Sequence, residues 1–557
     1  MKHLLAILSL LVFHTSIAQS NYTEVINKAT KIAQQEDTLK YNSTLKLLDT
    51  AFKKYPDSIN GTGLYYASIM ASSLKLKDKA FSYLIPLVKM EKDDQGYPGW
   101  SFALDSYAQK DYKNLLNDDR WKSLTAIAKK DSITFFEKLK TQQTEFFQTS
   151  TINLSNINNP KKLYKSIHKY NTYLPKKQQN YSISLKINNS TESAYLVHLP
   201  KHYNPRKKYP VLFFLHGAVR FTEFHKYRIP EITLGGWNKY YTKYGDLSNV
   251  ILIFPGANKE YNWMLSNKGF YMIPEILKSV KKALNIDDNK VFISGHSNGA
   301  TGSFSYLMKQ PTLFAGFYGF NTQPKVFTGG TFVENGTNRS FVHFSTDQDY
   351  YYPPKANDDF TKLMTRINEN YQEYRYKGFP HWFPEFKESE PAYKILFNHL
   401  EERKRDPFPK QISWEFDDNT YGDIDWISNI KLDTLQSKAQ WHKNLNFKIT
   451  EWLSYNNNDS LVSKKVDKKA FDFPRKSGKV KARYANNSFH IQTSCISTFK
   501  INISPEMVNL NKKVKIYING KIYFDKKVKY NRIFMLEEFL KNGNRTQIWV
   551  NQIKLKV

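Results

Sequence analysis

Val291-Phe292-Ile293-Ser294-Gly295-His296-Ser297-Asn298-Gly299-Ala300 is the stretch that decides how the rest of the chain is read. Its apolar, β-branched start predicts a buried strand. Gly-His-Ser-Asn-Gly follows and fits the pattern G-x-S-x-G. Residues 300–308 predict a helix. A strand, a tight turn and a helix hold the serine in a strained backbone at the apex of the turn. Gly295 and Gly299 have no Cβ, so strand and helix can crowd against that turn. The strain lifts Ser297 Oγ clear of the sheet edge and makes Ser297 the candidate nucleophile. The plainer reading is a glycine-rich turn, and the flanking strand and helix weigh against it.

Working outward, residues 181–187 and 193–200 alternate in hydrophobicity around an Asn-rich turn and predict an antiparallel hairpin at a sheet edge. Residues 210–217, 250–255 and 341–344 are short apolar runs that predict buried strands. A helix is expected at 273–284. Strands alternating with helices predict a mostly parallel sheet covered on both faces. A serine nucleophile then needs a carboxylate and a histidine later in the chain. Ser345-Thr346-Asp347-Gln348-Asp349-Tyr350 follows the late strand. Its spacing favours Asp349 as the acid, with Asp347 as the alternative. Gly378-Phe379-Pro380-His381-Trp382 reads as a late loop, and His381 is the expected general base. His216-Gly217-Ala218 ends the first buried strand. Backbone N–H groups of Ala218, or Gly217, and of Asn298 are the expected oxyanion donors.

The 557 residues exceed one core, so several domains are expected. Residues 1–18 carry a basic start, a short apolar run and Ser16-Ile17-Ala18, which predict a signal peptide and an exported protein. Residues 19–152 show helical periodicity, and 153–162, rich in Asn with Pro160, read as a linker. A catalytic α/β domain is expected at 163–405 and a β-rich, sandwich-like domain at 410–557, with a hairpin turning at Asn519-Gly520. Trp414, Trp426 and Trp441 in this tail suggest sugar binding, but large aromatics more often fill cores. Asp417-Asp418-Asn419-Thr420-Tyr421-Gly422-Asp423 lacks the ligands of a calcium loop.

The net charge of +31 is spread along the chain. Without a recognition motif it predicts a basic surface rather than a nucleic-acid partner, and leaves room for acidic polymers. Later segments are too polar to span a bilayer. The single cysteine, Cys495, reads as a small buried residue in an alternating strand. No metal or nucleotide motif is present, so neither metal nor cofactor is expected.

Residues 181–403 resemble the esterase branch of the α/β-hydrolases that includes feruloyl esterases and polyhydroxybutyrate depolymerases. The resemblance rests on Ala194-Tyr195-Leu196-Val197-His198-Leu199-Pro200, Leu215-His216-Gly217, the Ser297 motif and His381-Trp382-Phe383-Pro384. It implies a cofactor-free serine esterase acting on an ester-containing small molecule or polymer. Departures are Val219, where a second glycine is usual, and an acid loop without a leading glycine. A looser resemblance to prolyl-oligopeptidase-type domains keeps amide cleavage as an alternative. A binding protein with a decayed hydrolase domain is another. The segment 78–84 with 116–124 resembles tetratricopeptide-like helices, which implies protein contacts. The β-rich tail leaves room for glycan contacts.

Overall fold

The computed structural model describes residues 22–458 and 460–557. The expected signal peptide lies outside them. The described chain falls into two compact units. One runs to Gln142 and takes in Ile229–Ile232, and the other holds Gln143–Arg228 and Thr233–Val557.

In the first unit the helices Tyr41–Lys54, Gly61–Ser73 and Lys77–Lys89 follow one another. Leu45, Leu48, Met70, Phe81 and Leu84 are fully or almost fully buried, as their three- and four-residue spacing predicts. Asn60 caps the second helix by accepting the Gly63 N–H at 2.9 Å.

The second unit is built on an eight-stranded sheet. Its strands are β1 (Asn180–Lys186), β2 (Glu192–His198), β3 (Tyr209–Leu215), β4 (Ile251–Phe254), β5 (Ile286–Gly295), β6 (Gly316–Phe320), β7 (Ser340–Gln348) and β8 (Tyr371–Pro380). They lie in the order β1-β2-β4-β3-β5-β6-β7-β8. β1 and β2 form the expected antiparallel edge hairpin, and β4 to β8 run parallel through β3, β5, β6 and β7. One face packs on the helix Met272–Ala283 through Ile273, Ile276, Leu277 and Val280; the other packs on the helix Glu390–Glu402 through Leu396, Phe397 and Leu400. The carboxyl ends of β3, β5, β7 and β8 share one edge, the edge where open α/β sheets carry their chemistry. Two strands had no clear signal in the sequence. β6 contains two glycines in five residues, and β8, at the sheet edge, mixes Glu373, Arg375 and Lys377 with tyrosines.

After residue 410 the chain forms strands β9 (Gln411–Phe416), β10 (Ile427–Leu432), β11 (Lys448–Tyr455), β12 (Leu461–Lys469), β13 (Gly478–Ala485), β14 (Ser488–Ser494), β15 (Ile496–Ile503), β16 (Lys513–Ile518), β17 (Lys521–Lys527) and β18 (Asn551–Lys556). A five-stranded sheet β17-β16-β14-β13-β9 and a three-stranded sheet β10-β15-β18 contribute to one apolar cluster. Trp414 and Trp426 sit fully buried in it, their indole N–H groups donating to Tyr421 O and Pro409 O. They are core residues. Asn519 and Gly520 turn the β16–β17 hairpin with φ of 48° and 84°.

The segment read as a linker is ordered into this cluster. Asn159 accepts the Lys162 N–H at 3.0 Å and caps the helix Pro160–His168, whose Leu163, Tyr164 and Ile167 are buried. Asparagine before proline marks a loop, but it also marks a helix start. Cys495 is buried as expected. It lies between β14 and β15, at φ 56°, with its Sγ bonded to Gln436 O at 3.2 Å. A buried ion pair, Arg339–Asp425, joins the central region to the tail.

Candidate active site

Ser297 stands between β5 and the helix Asn298–Lys309, at φ 57° and ψ −123°. Such a backbone costs a non-glycine residue on the order of 1–3 kcal/mol, so its surroundings must impose it. They do. Ser297 N–H donates to Phe320 O at 3.1 Å and Gly299 N–H to His296 O at 2.9 Å. The flanking glycines are dictated by contact. A Cβ on Gly299 would lie 1.7 Å from Leu215 O, and one on Gly295 would lie 2.4 Å from the Gly299 carbonyl carbon. Gly217 abuts the serine itself, because a Cβ there would stand 3.1 Å from Ser297 Cβ.

His381 follows the last residue of β8. Its Nδ1 lies 2.9 and 3.0 Å from the two carboxylate oxygens of Asp349, the residue that follows β7. Both side chains are almost fully buried. The carboxylate is itself held. Asn321 Nδ2 donates to one oxygen at 3.0 Å and Tyr351 N–H to the other at 2.9 Å. Asn321 Nδ2 also reaches Thr346 Oγ1 at 2.6 Å. Asp347 is occupied elsewhere, accepting the Gly378 N–H at 2.7 Å. A register shift in the β7–β8 pairing, between Thr346 and Gln348, accompanies this contact. The segment before His381, read from sequence as a loop, is the end of β8, with Gly378 at φ 82°.

His296, the variable residue before the serine, ties the two parts together. Its Nε2–H donates to the carbonyl oxygen of His381 at 2.8 Å, and the two rings are 4.9 Å apart. Burial pushes the His296 imidazole down to about 3, so it is neutral and keeps this donor role at neutral pH. Among the described residues no hydrogen bond joins Ser297 Oγ to the imidazole. Such bonds are commonly long before substrate binds.

The loop after β3 completes the arrangement. Ala218 adopts φ 52°, and Val219 N–H donates to Asn298 Oδ1 at 3.2 Å. The Asn298 side chain thereby fixes the Gly217–Val219 backbone against the turn at Ser297. His216 is partly buried and pushed down to about 4, first by loss of solvent and then by the Arg228 charge. It accepts the Ala257 N–H at 3.0 Å. The rim is aromatic. The Tyr351 ring lies 4.4 Å from the His381 imidazole and that of Trp382 5.3 Å, and both are about half exposed. His296, Asn321 and the side chain of Asn298 escaped the sequence reading; His296 and Asn298, inside the motif, offered a signal, and Asn321 offered none.

Residues 189–321, which contain β2 to β6 and the Ser297 turn, match the Esterase family model ("Putative esterase"). The match covers less than half of the chain, and that stretch is similar to a putative esterase. No curated protein matches the chain. Among solved structures, a thermostable esterase is 22% identical over 41% of this chain and 64% of its own, with a TM-score of 0.33. The chain therefore spans just under two thirds of that protein. A fluorophosphonate-binding serine hydrolase F of Staphylococcus aureus is 18% identical over 40% of this chain and 99% of its own, with a TM-score of 0.32. A ferulic acid esterase gives 18% identity over 40% and 98%, again at 0.32. Likeness at this level says nothing about substrate.

Proposed function

We propose that this chain is an exported serine esterase working through an acyl-enzyme, with Ser297 as nucleophile, His381 as general base and Asp349 as the group that orients it. The observation that supports the reading best is the double hold on His381. Asp349 bonds its Nδ1, and His296 bonds its carbonyl beside the Ser297 turn. With Nδ1–H donated to the carboxylate, Nε2 is left as the acceptor for the serine proton. Ser297 Oγ attacks the ester carbonyl as its proton passes to Nε2. The N–H groups of Ala218 and Asn298 hold the developing oxyanion, a kind of contact worth roughly 2.7–4 kcal/mol each. His381 returns the proton to the departing alkoxide. Water, deprotonated by the same nitrogen, then releases the acid and restores the serine.

The test is covalent labelling with a fluorophosphonate, alongside turnover of short-chain chromogenic esters and proline peptides. Wild-type protein should be labelled and should cleave the esters, and Ser297→Ala should do neither while keeping its fold. Labelling that persists in Ser297→Ala refutes the assignment. An unlabelled wild type favours a binding protein, and faster cleavage of the peptides a peptidase. Export rests on the sequence around Ala18 and is tested by finding mature protein that begins at Gln19 outside the cytoplasm.

A further inference from the structure

Trp414 and Trp426 are core residues, Trp441 is only partly buried, and the opposite face of the Trp414 sheet carries a groove. Side chains alternate across a strand. Ile412, Val480, Ala482, Phe489, Ile491 and Ile516 point into the apolar cluster. Their neighbours Gln411, Ser413, Arg483, His490, Gln492 and Tyr517 line a groove of about 750 Å³, walled on one side by Glu334 and Asn338. That volume is in the range of small-ligand sites.

The lining has a definite chemistry. Gln411, Gln492 and Arg483 are exposed. Among the described residues Arg483 makes no ion pair, and Ser413 Oγ, shielded from solvent, has no hydrogen-bond partner. The one acid in the lining, Glu334, is already engaged by Lys479 and lies 4.0 Å from Lys481. His490 and Tyr517, paired in register on β14 and β16, stack with centroids 4.8 Å apart and planes 2° from parallel. The groove thus combines an unpaired guanidinium, two free amides, hydroxyls and a stacked aromatic pair.

We propose that this groove is a second binding site, separate from Ser297, and that it takes an acidic oligosaccharide. Amides and hydroxyls offer donors and acceptors together, as sugar hydroxyls require. The guanidinium fork matches a carboxylate on a sugar ring. Other polymers fit less well. A nucleic-acid strand is held by many phosphate contacts, and only Lys481 and Arg483 here are permanent cations. An extended peptide adds to a free strand edge, whereas this groove crosses the face of the sheet.

Calorimetric titration of the full chain tests the proposal with three acidic trisaccharides (trigalacturonate, trimannuronate and a glucuronate-bearing xylotriose), neutral xylotriose and a ten-residue oligothymidylate. At least one acidic trisaccharide should saturate a single site, and neutral xylotriose should bind at least tenfold more weakly. Arg483→Gln should weaken the acidic ligand at least tenfold and His490→Ala at least threefold. Arg483→Gln should leave small-ester hydrolysis unchanged. Three outcomes overturn the proposal: no acidic trisaccharide binds, binding is the same in both variants, or oligothymidylate binds as tightly and with the same loss in Arg483→Gln.

Discussion

Replacing Asp349 by Asn tests the core of the proposed site, because both carboxylate oxygens are spoken for. One accepts the Tyr351 N–H and the other the Asn321 Nδ2–H, while both face His381 Nδ1. An asparagine offers one oxygen and one amino group. The Tyr351 N–H is fixed backbone, so the oxygen stays on that side. The amino group then takes the other position, toward His381 and Asn321. Asn321 can adapt by turning its own amide, since its Oδ1 has no partner among the described residues. The asparagine amino group would then donate to Nδ1 and place the imidazole proton on Nε2, the nitrogen that must accept from the serine. The fold should survive with the base in the wrong tautomer. In a serine protease triad the same exchange of aspartate for asparagine lowers kcat about 10⁴-fold. A loss of 10³–10⁴-fold corresponds to about 4–5.5 kcal/mol of transition-state stabilisation. Asp347→Asn keeps an oxygen to accept the Gly378 N–H and loses only the charge, so it should cost roughly tenfold or less. Steady-state hydrolysis of a chromogenic ester, with circular dichroism as the folding control, measures both. Asp349→Asn within tenfold of wild type, or Asp347→Asn as the worse variant, refutes the reasoning.

His296→Phe removes the donor to the His381 carbonyl. It should lower kcat roughly 10- to 100-fold with KM within threefold, by letting the imidazole drift; an equal change in KM alone would count against a positioning role. Burial pushes His216, His296 and His343 down to about 4, 3 and 4, below the ordinary 6.5. The unfolded chain therefore binds more protons at each, and stability, full above pH 6.5, should fall as pH drops from about 6.5 toward 4. A thermal midpoint unchanged between pH 7 and 5 contradicts this. Arg339→Met strands buried Asp425 without its partner. It should cost about 3–5 kcal/mol, read as an earlier first transition in urea. Gly299→Ala forces a methyl group into Leu215 O and should give protein that is neither soluble nor labelled by fluorophosphonate.

Much of this was legible along the chain, wherever one short stretch carries a local signal. The β5–Ser297–helix turn needs glycines that crowding demands, so the motif announces its own geometry. The edge hairpin and the β16–β17 turn follow from alternation and from Asn519-Gly520. Strand β8 was not legible, because an edge strand of mixed polarity looks like a loop. The ordered 153–168 segment was missed because its capping asparagines double as turn formers.

By itself the sequence determined the order of Ser297, Asp349 and His381 along the chain and the parallel sheet beneath them, because periodicity and turn chemistry act over a few residues. Its spacing favoured Asp349 and kept Asp347 as the alternative, two residues apart at the end of a strand. Tertiary structure brings Asp349 to the His381 imidazole and, through a register shift against β8, gives Asp347 to Gly378. The third dimension also supplied Asn321 and the carbonyl contact of His296, and set Trp414 and Trp426 inward and Arg483 outward. Each of these depends on which strand lies beside which, and pairings between distant segments leave no mark on either segment alone.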